Sequence, residues 1–420
     1  MHLYVHVPFC ARRCSYCDFA IAVRKRVPAR AYVDAVLKEW AERRRDGGAE
    51  GDLDTLYLGG GTPSLLDPVE LTRLIEGLTR DSALVPGAEV TIEVNPDDVS
   101  AERARAWRAA GITRASLGVQ SFDPAVLTWM HRTHRAEQVA PAVATLREAG
   151  IADLSLDLIF ALPAELSRDW SRDLETALAL EPDHLSLYGL TVEEHTPLAR
   201  WVERREVRRT DDDRYAEEFL VADRRLGAAG YEHYEVSNYA RPGHRARHNS
   251  AYWRRATYVG LGPSAHSGSG RGRSWNVRDW AEYERLVKEG KSPVAGNEAL
   301  DDEALRLEEL YLGLRTADGV PVERVPALVR EQWVREGWAT VWAHDSSPPD
   351  PLSTYVERGG ELDRRSPLHE RGEGTGVRID TSDPSPPSPL STVVERGSGS
   401  RLRLTAEGWL RLDALVGGSV

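Results

Sequence analysis

Between residue 1 and about residue 200, short runs of Val, Leu and Ile alternate with longer stretches whose apolar positions recur every three to four residues. The short runs are Leu3–Val7, Thr55–Leu58, Glu89–Val94, Arg114–Val119, Leu154–Phe160 and His184–Tyr188, and they read as strands. The stretches between them, Ala31–Arg45, Pro68–Thr79, Ala101–Ala110, Ala136–Ala149 and Ser167–Leu180, read as helices, two of them closed by Gly111 and Gly150. Six repeats of strand then helix predict an α/β fold with a parallel sheet, which right-handed crossovers curl into a partial barrel. In such a barrel the chemistry gathers at the C-terminal ends of the strands. Those ends carry Cys10, Gly59–Pro63, Glu93, Gln120 and Asp157.

The pattern then changes. Residues 201–295 are rich in aromatics, His and Gly and read as an irregular extension. Residues 296–343 return to helical periodicity at Glu303–Gly313 and Val322–Glu336, followed by a strand-like Trp338–Trp342. The stretch 344–400 is rich in Pro, Ser and Gly and contains a near-copy, PLSTYVERG at Pro351–Gly359 and PLSTVVERG at Pro389–Gly397. Such composition buries too little apolar surface to offset its ordering entropy, so it reads as a disordered insert. Arg401–Leu415 reads as a strand, a turn and a helix. Residues 296–420 are therefore expected to form a small winged-helix-like C-terminal domain, with the insert between two wing strands.

Composition narrows the class. A hydrophobic content of 41% and a charged content of 29% suit a globular chain. The net charge of −12 is spread along the sequence, which argues against nucleic acid or an anionic membrane as the main partner. No basic-then-apolar leader precedes the first motif, and no apolar run approaches the roughly 18–20 residues that cross a bilayer. The three cysteines leave an odd thiol after any pairing, against a disulfide framework and in favour of a reducing cytoplasm.

Those three cysteines, Cys10, Cys14 and Cys17, fall in one C-x3-C-x2-C run inside HVPFCARRCSYCDF. Clustered thiols ask for a soft metal. A structural zinc site needs four ligands, and the nearest candidates for the fourth, His2 and His6, precede the run on a predicted strand. A cubane 4Fe-4S cluster fits better: three irons take thiolates and the fourth stays open to the amino and carboxylate groups of S-adenosyl-L-methionine (SAM).

The run YVHVPFCARRCSYCDF resembles the signature of the radical SAM superfamily, in particular its oxygen-independent coproporphyrinogen III oxidase-like branch. The resemblance extends over about 1–267 and implies a partial (β/α)6 barrel. It implies, position by position, that Tyr4 contacts SAM near the cluster. It implies that Gly60, Gly61 and Thr62 in the GGGTP turn hold the SAM amino group, and that Glu93 in EVNP fixes the ribose. Gln120 in GVQSF, Arg132 twelve residues on and Asp157 in LDLIFALP complete the implied SAM set. Each has a structural alternative: a half-buried strand aromatic for Tyr4, a tight turn for the glycines, turn chemistry at Asn95-Pro96, a solvated arginine. A buried carboxylate at Asp157 requires a polar partner in any case.

Decarboxylating members of this branch carry a further cysteine two residues after the third; here that position is Phe19. The departure places the chain with the heme chaperone group, and so does His248-Asn249-Ser250-Ala251-Tyr252-Trp253, which is similar to that group's HNxxYW element. The resemblance implies heme as cargo, passed to an acceptor protein such as a respiratory hemoprotein, with peripheral membrane contact left open. His248 would ligate iron, Asn249 belongs to the same element, and Tyr252 and Trp253 offer flat faces to a porphyrin. Arg241, Arg245 and Arg247 would neutralise propionates; the alternative is a structural loop over the barrel mouth with His248 hydrogen-bonded to backbone. His266, in GLGPSAHS, is expected to pack behind the loop. Catalysis stays open: the alternatives are a coproporphyrinogen oxidase, another radical SAM enzyme making a 5'-deoxyadenosyl radical, or a zinc-stabilised binding protein. No catalytic residue stands out.

Overall fold

The computed structural model describes residues 1–343 and 400–417. Its first strand, β1 (His2–Val7), sets the pattern: Leu3, Val5 and Val7 are fully buried among the helices, while His2, Tyr4 and His6 alternate with them onto the other face. β1 runs into the cysteine loop, which a short parallel pair braces, β2 (Phe9–Cys10) with β3 (Ala22–Val23). Five further parallel strands follow: β4 (Leu53–Gly60), β5 (Leu84–Val94), β6 (Arg114–Gln120), β7 (Asp153–Phe160) and β8 (His184–Gly189). Each repeats the alternation of β1. Leu56 and Leu58, Val90 and Ile92, Ala115 and Leu117, Leu154 and Leu156, and Leu185 and Leu187 pack outward in one apolar cluster. The opposite face is polar: Thr55 and Tyr57, Glu89 and Glu93, Arg114 and Ser116, Ser155 and Asp157, His184 and Ser186. A lining of that kind suits a ligand cavity better than a dry core.

Helices α1 (Ala29–Arg45), α2 (Pro68–Thr79), α3 (Ala101–Ala109), α4 (Pro124–Trp129), α5 (Val139–Glu148) and α6 (Trp170–Ala179) form the crossovers. Their starts are chemically marked: Asp67, Ser100, Asp123 and Asp169 each accept a backbone N–H at the N-terminus of α2, α3, α4 and α6. The six strands and five of these helices match the sequence expectation to within a few residues.

Residues 201–295 are more regular than their composition suggested. After α7 (Pro197–Glu203) and α8 (Asp212–Ala228), strands β9 (Glu232–Glu235) and β10 (Asn238–Ala240) add an antiparallel edge beside β8. Helix α9 (Arg247–Trp253) precedes β11 (Tyr258–Leu261), which pairs parallel to β1. Then β12 (His266–Ser269), β13 (Gly272–Asn276) and, after α10 (Trp280–Lys288), β14 (Val294–Ala299) continue antiparallel. The whole is a twelve-stranded mixed sheet in the order β14-β13-β12-β11-β1-β4-β5-β6-β7-β8-β10-β9. These added strands are short and rich in Gly, Ser and His, so they carry no apolar run for a sequence pattern to find.

The C-terminal part packs α11 (Asp302–Leu314) and α12 (Ala327–Arg335) with a three-stranded sheet, β15 (Val320–Pro321), β17 (Ser400–Leu404) and β16 (Ala339–Ala343) in that spatial order. β16 and β17 pair antiparallel. The insert itself, with its repeated nonapeptide, lies outside the described residues. Among the described residues no helix is long and apolar enough to cross a membrane.

Candidate functional site

At the C-terminal end of the barrel a cavity of about 510 Å³ is bordered by all three cysteines. The thiols are free. Thr62 Oγ1 donates to Cys10 Sγ at 3.4 Å, and Arg132 donates to Cys14 Sγ at 3.5 Å. The loop is pinned by Ala22 N–H to Pro8 O at 2.7 Å, Arg24 N–H to Cys10 O at 3.0 Å and Ser15 N–H to Met130 O at 3.1 Å. Burial pushes the thiols of Cys10 and Cys17 up to about 11, so a bound metal would have to displace their protons.

The donor set suits a cluster: a structural zinc site takes four ligands, whereas three thiols bordering one cavity are the donor number that a polynuclear centre with one open corner would use once deprotonated.

The residues expected to hold SAM border the same cavity, with one exception. Gly60, Gly61, Thr62, Glu93, Gln120, Arg132 and Asp157 all line it. Arg132 donates to Asn95 Oδ1 at 2.6 Å and to Gly118 O at 2.7 Å, and its buried Nε has no partner among the described residues. A carboxylate-bearing ligand would satisfy that atom. Gln120 holds a left-handed backbone at φ 66°, a strain that non-glycine residues carry at functional positions more than elsewhere. Asp157 has the polar partners its burial demands: Ser116 Oγ at 3.0 Å and Ser155 Oγ at 3.3 Å.

The exception is Tyr4. Its hydroxyl bonds His6 Nδ1 at 3.0 Å, and its ring borders a second cavity on the other side of β1. The glycine turn also has a packing reason beside any ligand role. A Cβ at Gly60, where φ is 108°, would meet the His6 ring at 2.6 Å, and one at Gly61 would meet Pro8 backbone at 2.8 Å. Sequence reasoning missed Asn95, Ser116 and Tyr188, which also line the cavity. Ser116 was findable, since it shares the period-two face of Gly118 and Gln120.

Glu93 accepts Tyr57 O–H and Gly60 N–H, both at 2.9 Å. Burial, and then the neighbouring Asp157 carboxylate, raise it to about 7. A carboxyl raised in the fold above its unfolded value of 4.5 binds more protons folded than unfolded between those two pH values. Stability therefore falls as pH rises through that window, by at most about 3 kcal/mol from this group. Glu93→Gln is expected to flatten the pH dependence of the ligand-free chain between pH 5 and 8. Anaerobic urea midpoints at both pH values check this; an unchanged slope would remove Glu93 as its source.

The other end of the barrel is closed by α9. The Glu89 carboxylate, near the N-terminal end of the barrel-facing part of β5, accepts the backbone N–H groups of Arg247 at 2.8 Å and His248 at 3.0 Å. His248 is 1% exposed. Its Nδ1 pairs with Thr55 Oγ1 at 2.6 Å and its Nε2 with Tyr252 O–H at 2.8 Å, and its ring stacks on Tyr57 at 5.1 Å. Burial lowers its pKa to about 3, so it is neutral. Both nitrogens expected to be offered to iron are thus engaged in this conformation. Asn249 is half-buried on the same helix. Tyr252 and Trp253 border the second cavity, of about 440 Å³, with Tyr258, Arg255, Arg273 and His266. His266 is exposed there and not packed behind the loop. Of the three arginines, Arg245 and Arg247 border a third cavity, of about 480 Å³, against the C-terminal sheet, where Arg245 pairs with Glu232 at 3.0 Å and Asp318 at 3.4 Å. Arg241 instead donates to Pro182 O at 3.3 Å.

Comparisons with known proteins agree with this geometry. The family model described as the Radical SAM superfamily matches residues 4–177. The heme chaperone HemW of Mycobacterium tuberculosis is 39% identical over 335 residues, covering 79% of this chain and 85% of that protein. HemW of Synechocystis is 36% identical over 335 residues, covering 77% of this chain and 80% of its own length. Among solved structures, the coproporphyrinogen III oxidase HemN from Escherichia coli superposes with a TM-score of 0.69 over 99% of this chain and 89% of that one. At 21% identity, that likeness speaks to the fold.

Proposed function

The chain belongs to the heme chaperone HemW family within the radical SAM superfamily, and from that membership we propose that it binds heme and passes it to an acceptor hemoprotein. Cys10, Cys14 and Cys17 hold a 4Fe-4S cluster, and Gly60, Gly61, Thr62, Glu93, Gln120, Arg132 and Asp157 surround SAM beside it. When bound, such a cluster would supply one-electron chemistry beside SAM. The chain's own part is to hold these apart from the cargo. Arg132, with its Nε unpartnered, would take the SAM carboxylate, Thr62 steadies Cys10, and Tyr252 and Trp253 border a separate cavity.

One observation carries the carrier reading over an enzymatic one. The cysteine cavity and the aromatic cavity share no lining residue, and the hydrogen-bonded Tyr4–His6 pair, which borders the second and packs on the Gly59–Gly60 turn of the first, stands between them. A radical enzyme must place its substrate against the cluster-bound SAM, whereas a carrier has no such need. Phe19, 58% exposed at the rim of the cysteine cavity, stands where a further thiol would be wanted for the decarboxylating reaction.

Anaerobic reconstitution followed by paired assays tests this. Near-stoichiometric heme uptake, seen as a Soret shift, is expected, without 5'-deoxyadenosine formation that depends on coproporphyrinogen III. Absence of heme uptake together with substrate-dependent 5'-deoxyadenosine would overturn the carrier reading in favour of the enzyme.

A further inference from the structure

Iron in a porphyrin needs an axial lone pair, so the state of each imidazole matters. Ten histidines fall among the described residues. His6, His184, His233 and His248 have both ring nitrogens engaged. His2 and His134 have one engaged, to Thr55 and to Val119 O, and the Nδ1 of His244 lies between Asp153 and Asp183. His195 stands on the open surface beside Glu194, and His131 borders the cysteine cavity. That leaves His266. It opens β12, is exposed, and makes no side-chain hydrogen bond or ion pair among the described residues.

We propose that His266, and not His248, is the axial ligand of the heme iron, in the cavity walled by Tyr252, Trp253 and Tyr258. This rests on the heme-carrier reading and gives it an address. The cavity, about 440 Å³, lies in the range of small-molecule sites. Aromatic rings form part of its wall, Tyr252 meeting Tyr258 edge-on at 4.6 Å, and the His266 ring stacks at 5.9 Å on Trp275, tilted by 28°. Such stacking fixes the ring plane while leaving its nitrogens free. Arg255 and Arg273 border the same space, sharing Glu308 and pairing further with Glu309 and Glu298, so a propionate would meet them by displacing one of these carboxylates. Partial burial and the nearby Arg273 also lower the pKa of His266, which favours the neutral imidazole that ligation requires. His248 serves this cavity indirectly, since its Nε2 holds the Tyr252 hydroxyl and so sets the angle of one wall.

The test uses the full chain, reconstituted without oxygen and titrated with ferric heme while the visible and electron paramagnetic resonance spectra are recorded. The wild type is expected to bind with an imidazole-ligated signature. His266→Ala is expected to weaken binding at least tenfold and lose that signature. His266→Met is expected to restore binding with an altered spectrum, because a thioether also ligates heme iron. His248→Ala is expected to keep the imidazole signature. Wild-type affinity and spectrum in His266→Ala, or loss of the signature in His248→Ala alone, would overturn the assignment and leave the carrier reading standing. A wild type that takes up no heme would overturn both.

Discussion

Alanine at Cys10, Cys14 or Cys17 is expected to leave the chain folded but without iron or acid-labile sulfide after anaerobic reconstitution. The effect should be all-or-none, because in the proposed cluster each thiolate would hold a different iron, and among the described residues no fourth cysteine stands in reserve. Two polar groups that already contact the thiols are poor replacements: Thr62 Oγ1, which donates to Cys10, and the Arg132 guanidinium, which repels a cation. Folding should survive best in Cys14→Ala and Cys17→Ala, whose side chains are half-buried, and less well in Cys10→Ala, which removes a buried group at the end of β2. Cys14→Ala also spares the barrel wall, since Arg132 keeps its bonds to Asn95 and Gly118. Iron and sulfide analysis with far-ultraviolet circular dichroism checks this. Full iron and sulfide in any one variant would break the three-thiolate assignment. Zinc in place of iron in the wild type would break the cluster assignment as a whole.

Those cysteines were legible because spacing in the chain sets spacing in a short loop. The six barrel strands were legible for a similarly local reason: each alternates a Leu- or Val-rich face against the helices with a polar face. What escaped the sequence is set by distant partners. Tyr4 has its hydroxyl on His6 and its ring against the Gly59 turn and Tyr57, more than fifty residues later in the chain. His248 reads in isolation as an available imidazole. Its partners Thr55 and Tyr57 lie nearly two hundred residues earlier, and only the folded barrel brings them against it. The strands β9 to β14 escaped because such short pieces draw their stability from neighbours more than from their own composition.

Glu89→Ala is expected to be the most destabilising single change at the closed end of the barrel. Helix α9 has no side-chain cap of its own, for Ala246 occupies that position. Its first backbone donors are met from across the barrel by the Glu89 carboxylate, a negative charge where a helix terminus favours one. The same carboxylate faces Arg114, which is 3% exposed; its Nε and one terminal nitrogen lack hydrogen-bond partners, and its other counter-charge is Asp153 at 3.6 Å. Alanine would strand two amide donors and leave a buried guanidinium under-compensated, a loss of about 3–5 kcal/mol. Glu89→Gln keeps one acceptor and removes the charge, so a smaller loss of about 1–3 kcal/mol is expected. Iron content should be retained in the glutamine variant, because the cysteine loop sits at the opposite strand ends. Heme uptake should fall, because α9 carries Tyr252 and Trp253 into the aromatic cavity. Anaerobic urea unfolding, read by fluorescence, measures the loss. A Glu89→Ala midpoint equal to wild type would mean that α9 is held by its apolar contacts and that the carboxylate is incidental.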